Sequence, residues 1–154
     1  MLQEAAPVAL APCTPLPWSR PAPDRVALSV DGAFLLEDGT AAAGMVLRRH
    51  DGSVIFAAYR CIFNCNVALE AELHAIMQGM ALALQHCTSP IVVQSNSSMA
   101  LAAMTGESLS YGHLVAEIRH LMGVREFIPS KIRHGQNRVA HRLAWYSHTE
   151  RSTV

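Results

Sequence analysis

The run Leu28-Ser29-Val30-Asp31-Gly32-Ala33-Phe34 decides how this chain is read. Val26, Leu28 and Val30 alternate with Ala27, Ser29 and Asp31, the period of a strand with two unlike faces. A carboxylate then stands at the strand's end with glycine directly after it. Asp is disfavoured in strands, so Asp31 calls for a reason. Taken alone, Asp-Gly reads as a turn. Read with the rest of the chain, Asp31 becomes one wall of a metal site, because further polar residues fall where they could close around it.

The chain works outward from this strand in both directions. Upstream, residues 1–24 hold six of the eight prolines. Proline lacks an N–H and restricts its predecessor, so this stretch is expected to be an extended or disordered lead-in. No basic start precedes its apolar residues, which argues against a signal peptide, and no stretch is long enough to span a membrane. Downstream, Glu37-Asp38-Gly39 reads as a turn, Ala43 to Arg49 as a second strand, His50-Asp51-Gly52 as a turn and Ser53 to Cys61 as a third strand. Short turns favour an antiparallel meander. At Val67 the period changes. Leu69, Leu73, Ile76, Met80, Ala83 and Cys87 recur at three and four residues, which predicts an amphipathic helix, with Met77 and Met80 as core filling. Ser89-Pro90 ends it, and Ile91 to Ser95 reads as a buried fourth strand.

Helices are then expected from Ser97 to Met104 and from Tyr111 to Met122, the latter with Leu114, Ile118 and Leu121 on one side. Phe127 to Arg133 is a fifth strand, placed at an edge by Pro129. A last helix runs from Asn137 to about Tyr146, with Val139, Leu143 and Tyr146 towards the core. The pattern predicts one α/β domain over residues 25–148 with a mixed sheet, followed by a short tail at 149–154.

Composition narrows the function. With 154 residues, 51% of them apolar and 16% charged, the chain can build a substantial core. Twelve basic residues balance twelve acidic ones, so the general positive field of a strong nucleic-acid binder is lacking. Eight histidines tilt it positive below neutral pH. Cys13, Cys61, Cys65 and Cys87 form no Cys-x-x-Cys pair, and spacing with His86 is poor for zinc. Reduced thiols in the cytoplasm or nucleus, without secretion, are expected.

Metal-assisted phosphodiester cleavage needs several anionic oxygens to hold two Mg²⁺ about 4 Å apart. Asp31 meets that need from a strand. On the long helix Glu70 and Glu72 compete, pointing about 200° apart at the helical repeat. Periodicity does not choose between them. Asn96 also reads as a cap ahead of Ser97-Ser98. His141 reads as a hydrogen-bond partner of Asn137 one turn earlier, and His148 as a surface residue. The Arg133-to-Arg142 stretch is the best phosphate-contacting patch.

At this point the chain resembles a known family. Trp18-Ser19-Arg20-Pro21, Ser29 to Phe34 and Gly44 to Gly52 are similar to the plant reverse-transcriptase-like, retroelement-derived branch of type 1 ribonuclease H. Ala71-Glu72-Leu73-His74-Ala75 matches its helix motif, Gln94-Ser95-Asn96-Ser97 its fourth-strand motif and Asn137 to Ala144 its last helix. The resemblance covers about residues 18–146. It implies a ribonuclease H-like fold with a five-stranded mixed sheet, order 3-2-1-4-5, and helices on both faces. It implies Mg²⁺ or Mn²⁺ as cofactor and RNA–DNA hybrid, or other nucleic acid, as partner.

The family's ligands are a first-strand Asp, a first-helix Glu, a fourth-strand Asp and a last-helix Asp. Asp31 and Glu72 match the first two, which selects Glu72 over Glu70. Asn96 and His141 stand where the other two carboxylates are expected. Asn keeps an oxygen without the charge, and Mg²⁺ disfavours a nitrogen ligand. The resemblance therefore implies catalytic positions at Asp31, Glu72, Asn96 and His141, and metal contacts from Asp31, Glu72 and Asn96. It also implies weakened hydrolysis, and the basic stretch itself points to nucleic-acid contacts from Arg133, His134, Asn137 and Arg138. The competing readings are a nucleic-acid-binding domain without catalysis and a protein-interaction module of retroelement origin that takes a protein partner.

Overall fold

In the computed structural model, residues 16–35, 37–106 and 111–150 are described, with side chains up to Tyr146. Residues 1–15, 36, 107–110 and 151–154 lie outside them, as does the His148 side chain. Among the described residues, five strands and four α-helices follow one another: β1 (Val26–Leu35), β2 (Thr40–Arg48), β3 (Val54–Ile62), α1 (Ala68–His86), β4 (Ile91–Ser95), α2 (Ser98–Thr105), α3 (Gly112–Met122), β5 (Phe127–Lys131) and α4 (Arg138–Glu150). The strands form one sheet in the order β3-β2-β1-β4-β5. β1, β2 and β3 pair antiparallel, while β4 joins β1 and β5 joins β4 in parallel. The expected order and mixed character are both observed, and Pro129 lies on the outermost strand.

Asp31-Gly32 is not a turn. Both residues lie inside β1, opposite Gly44 and Ala43 of β2. The strand keeps its partner β2 as far as Leu35, and this tertiary pairing outweighs the local Asp-Gly preference. Its parallel pairing with β4 stops at Ser29 and Gln94. Beyond that point β1 runs on beside an open lane, and the candidate site is built there.

Each face of the sheet takes a helix at a glycine. A Cβ on Gly32 would lie 2.5–2.6 Å from the α1 backbone at Ala71 and Glu72. On the other face, a Cβ on Gly44 would lie 2.0 Å from the Ala140 carbonyl oxygen of α4. α1 buries Leu73, Ile76, Met80 and Ala83 as its period predicts, and Leu28 and Val30 of β1 pack against Gly79. The expected core face of the last helix needs correction. Val139 and Tyr146 are 43% and 52% exposed, whereas Ala140 and Ala144 are fully buried. The helix lies so close to Gly44 that only small residues fit beneath it. A pattern of large apolar residues cannot reveal such a contact.

Residues 16–25 form no regular element, but they are tied to the α4 side of the sheet. Gln94 accepts hydrogen bonds from Ser29 Oγ (2.8 Å) and Trp18 Nε1 (2.9 Å), and its amide donates to the Ser19 carbonyl (2.6 Å). The Arg48 guanidinium stacks 4.7 Å from the Trp18 ring centroid. The lead-in thus joins the domain several residues before the proline count suggests. Among the described residues no helix is long and apolar enough to cross a membrane.

Candidate active site

Where β4 ends, the backbone groups of β1 that face the open lane need other partners. Glu72 Oε1 accepts the Gly32 N–H at 2.8 Å, and Asn137 Nδ2 donates to the Val30 carbonyl at 2.7 Å. The second Glu72 oxygen accepts from Ser95 Oγ at 2.7 Å. Asn137 Nδ2 also donates to Asn96 Oδ1 at 3.1 Å. Side chains from α1, β4 and the start of α4 therefore meet beside β1 because they complete its hydrogen bonding.

Asp31 projects to the α4 side, the side of its β2 partner Gly44. It is 7% exposed, and its Oδ2 lies 2.9 Å from His141 Nδ1. The His141 ring thus bonds Asp31 rather than Asn137, which receives only the backbone N–H of residue 141. The bond to Asp31 raises the His141 pKa, working against partial burial. Burial, and then the Asp31 charge, push the Glu72 carboxyl up to about 7, although the Ser95 and Gly32 bonds oppose the rise. At neutral pH the Glu72 carboxyl is therefore partly protonated.

Glu70 takes no part. Its Oε1 accepts the Asn66 N–H at 2.9 Å, near the start of α1. The cap of α2 is Ser97, whose Oγ accepts from the Ala100 N–H, and Asn96 is not the cap. Asn137, expected at the nucleic-acid surface, is 2% exposed and braces the lane from within. Arg133, His134 and Arg138 are exposed. His134 begins a short 3₁₀ turn, and its ring stands edge to face with His141 at 5.0 Å between centroids. Ser95 was missed as a site residue. Its only signal was a small polar residue at a strand end, and that reveals nothing until the helix carrying Glu72 is placed.

The residues present do not fit a two-ion centre. Asp31 and Glu72 are the available carboxylates, both Glu72 oxygens are already hydrogen-bonded, and the Asn96 oxygen is engaged by Asn137. Among the described residues no group of three or more His, Cys, Asp or Glu side chains is placed to hold a metal ion.

The model of the reverse transcriptase-like family matches residues 29–147, from the first strand to the last helix. The chain belongs to that family. No curated protein matches it. Ribonuclease H1 from the halophilic archaeon Halobacterium salinarum shares 20% identity at a TM-score of 0.75, covering 83% of this chain and 99% of that one. LC11 ribonuclease H1, solved in complex with an RNA/DNA hybrid, shares 17% at 0.73, covering 82% and 98%. Prototype foamy virus protease-reverse transcriptase shares 15% at 0.70, covering 88% of this chain and 22% of the viral one. This reverse transcriptase-like chain has the ribonuclease H fold, and the candidate site lies where β4 ends.

Proposed function

We propose that the domain binds nucleic acid, RNA–DNA hybrid included, and that its hydrolysis of the RNA strand is weak or lost. Binding is supported by the fold shared with proteins solved on RNA/DNA hybrids and by the exposed Arg133, His134, Arg138 and Arg142 on α4 and the turn before it, the helix that carries His141. A hybrid would be read by backbone shape and by the 2′-hydroxyls of one strand.

One observation carries the impairment: the lane that should gather negative charge is closed by neutral and internally bonded donors. Asn96 binds Asn137, and His141 occupies one oxygen of Asp31. At most one divalent cation would be held, by Asp31 and Glu72 with the Asn96 amide oxygen as a neutral donor. Were the His141 ring nitrogen to join these donors, Mn²⁺ would suit the set better than Mg²⁺, because it accepts a nitrogen ligand more readily.

The test is cleavage and binding of a labelled hybrid by the purified protein, with Mg²⁺ and with Mn²⁺, beside an Asp31→Ala control. Binding with little Mg²⁺-dependent cleavage is expected. Robust cleavage in Mg²⁺ that Asp31→Ala abolishes would overturn the impairment, and absence of binding would overturn the whole reading.

A further inference from the structure

The two outer strands of the sheet are built differently. β5 is five residues long and carries Pro129 and Lys131, both of which discourage a further strand from adding on. β3 is nine residues long, with no proline, lysine or acidic residue and Arg60 as its single charge. Its register with β2 is regular from Phe56 to Ile62. On the outer side, Phe56 to Arg60 pair with no strand among the described residues. Backbone groups along such an edge are a template for another strand.

Beside that edge, on the α1 face of the sheet, runs a groove of about 310 Å³ lined by Met77, Ala81 and Leu82 of α1 and by Arg60. Arg60 Nε is buried there without a hydrogen-bond partner. Phe56 points to the same face, its ring centroid 5.1 Å from that of His86 at the end of α1. Ala57 points to the opposite face and is exposed. The chain carries no net charge, so no general repulsion keeps two copies apart.

We propose that a second copy of this chain adds its own β3 to this edge, antiparallel about a two-fold axis at Ala58. Phe56 then stands opposite the partner's Arg60, and Arg60 opposite the partner's Phe56. Each ring reaches the mouth of the facing groove and offers its face to the guanidinium that lacks a partner at Nε. No like charges meet across the pair. The edge selects a second copy over a foreign peptide because β3 itself holds both halves of the contact, the aromatic before the axis and the cation after it. Pairing uses up this edge in both copies and β5 is guarded, so the assembly closes as a dimer. None of this depends on the nucleic-acid reading.

The experiment is sedimentation of the full chain over a concentration series, with melting followed by circular dichroism. Wild type should show a monomer–dimer equilibrium and nothing larger. Ala57→Lys changes an exposed side chain and sets two ammonium groups diagonally across the axis, so it should sediment as monomer throughout. Ala57→Ser should keep the dimer, and the two variants should melt alike at concentrations where wild type is monomeric. Arg60→Ala should raise the dissociation constant about tenfold, since each dimer loses two cation–π contacts. Should Ala57→Lys melt lower than Ala57→Ser, Arg60→Ala decides, and an unchanged dissociation constant in that variant overturns the proposal. Wild type that is monomeric at every concentration, species larger than a dimer, a dimer that survives Ala57→Lys, or equal dissociation by Ala57→Ser would also overturn it.

Discussion

Two helices press onto the central strands at glycines, and what they deliver differs sharply. Across Gly32, α1 brings Glu72, buried and bonded through both carboxylate oxygens. Across Gly44, α4 brings His141, about a third exposed and bonded through one ring nitrogen. Glu72 replaces the strand that β1 lacks beyond β4, so the fold needs an acceptor there whether or not a metal ever binds. His141 only leans on Asp31 from the surface. A retained carboxylate is therefore weaker evidence of metal chemistry than it looks, and the more exposed half of the site is where function is free to vary.

The largest effect should come from the contacts themselves. Gly44→Ala would set a methyl against the Ala140 carbonyl, which is backbone and cannot step aside. We expect a loss of more than about 3 kcal/mol, or no folding at all, measured by urea unfolding. Gly32→Ala, with its nearest atom at 2.5 Å rather than 2.0 Å, should cost less. Equal and small losses would show that neither helix is seated as closely as described.

Next comes the pH dependence that separates the two deliveries. Burial holds the folded Glu72 carboxyl at a pKa of about 7 against the ordinary 4.5, so the folded state binds the extra proton between them. Its contribution is complete below the unfolded value and is lost as pH rises through 7, by roughly 3 kcal/mol in all. His141, also raised, loses its contribution in the same direction as pH climbs through its folded pKa. Wild type should thus unfold more easily at pH 8 than at pH 6. Glu72→Gln, which still accepts from Gly32 and cannot ionise, should remove the Glu72 share of that difference and leave the His141 share. A pH profile unchanged by Glu72→Gln would mean that burial does not hold this carboxyl protonated.

A smaller effect should follow from restoring charge in the neutral half. Asn96→Asp still accepts from Asn137 but adds an anion beside Asp31 and Glu72. We expect a lower melting temperature without metal and a gain on adding Mg²⁺ that wild type does not show, by linkage of about 1–3 kcal/mol at saturating ion. Adding His141→Asp should enlarge the gain more than additively, since the two would share an ion. Calorimetric Mg²⁺ titration of the four proteins decides it. No gain in any variant would mean that the lane is not a vestigial metal site.

The smallest expected effect is on salt. With so few basic residues on α4 and the turn before it, the slope of log affinity against log salt for a hybrid should be shallow, about that of three or four released counterions. A slope corresponding to about eight would reveal a phosphate-contacting surface away from α4.

Most element bounds were legible in the sequence, and the sheet order came with the family resemblance. Apolar periods of two and of three to four residues report which face of an element is buried, and Pro129 and Ser89-Pro90 mark an edge and a stop. Asp31, and Glu72 once the motif was recognised, could also be picked out. The sequence could not show that β1 outruns β4, because strand length depends on a partner 60 residues away. Nor could it show that Asn137 is buried, that Ser95 holds Glu72, or that Ala140 and Ala144 carry the α4 contact. These are matters of which groups meet when two helices close on two glycines. Residue spacing is a property of one element, whereas the hydrogen bonds that complete β1 belong to four.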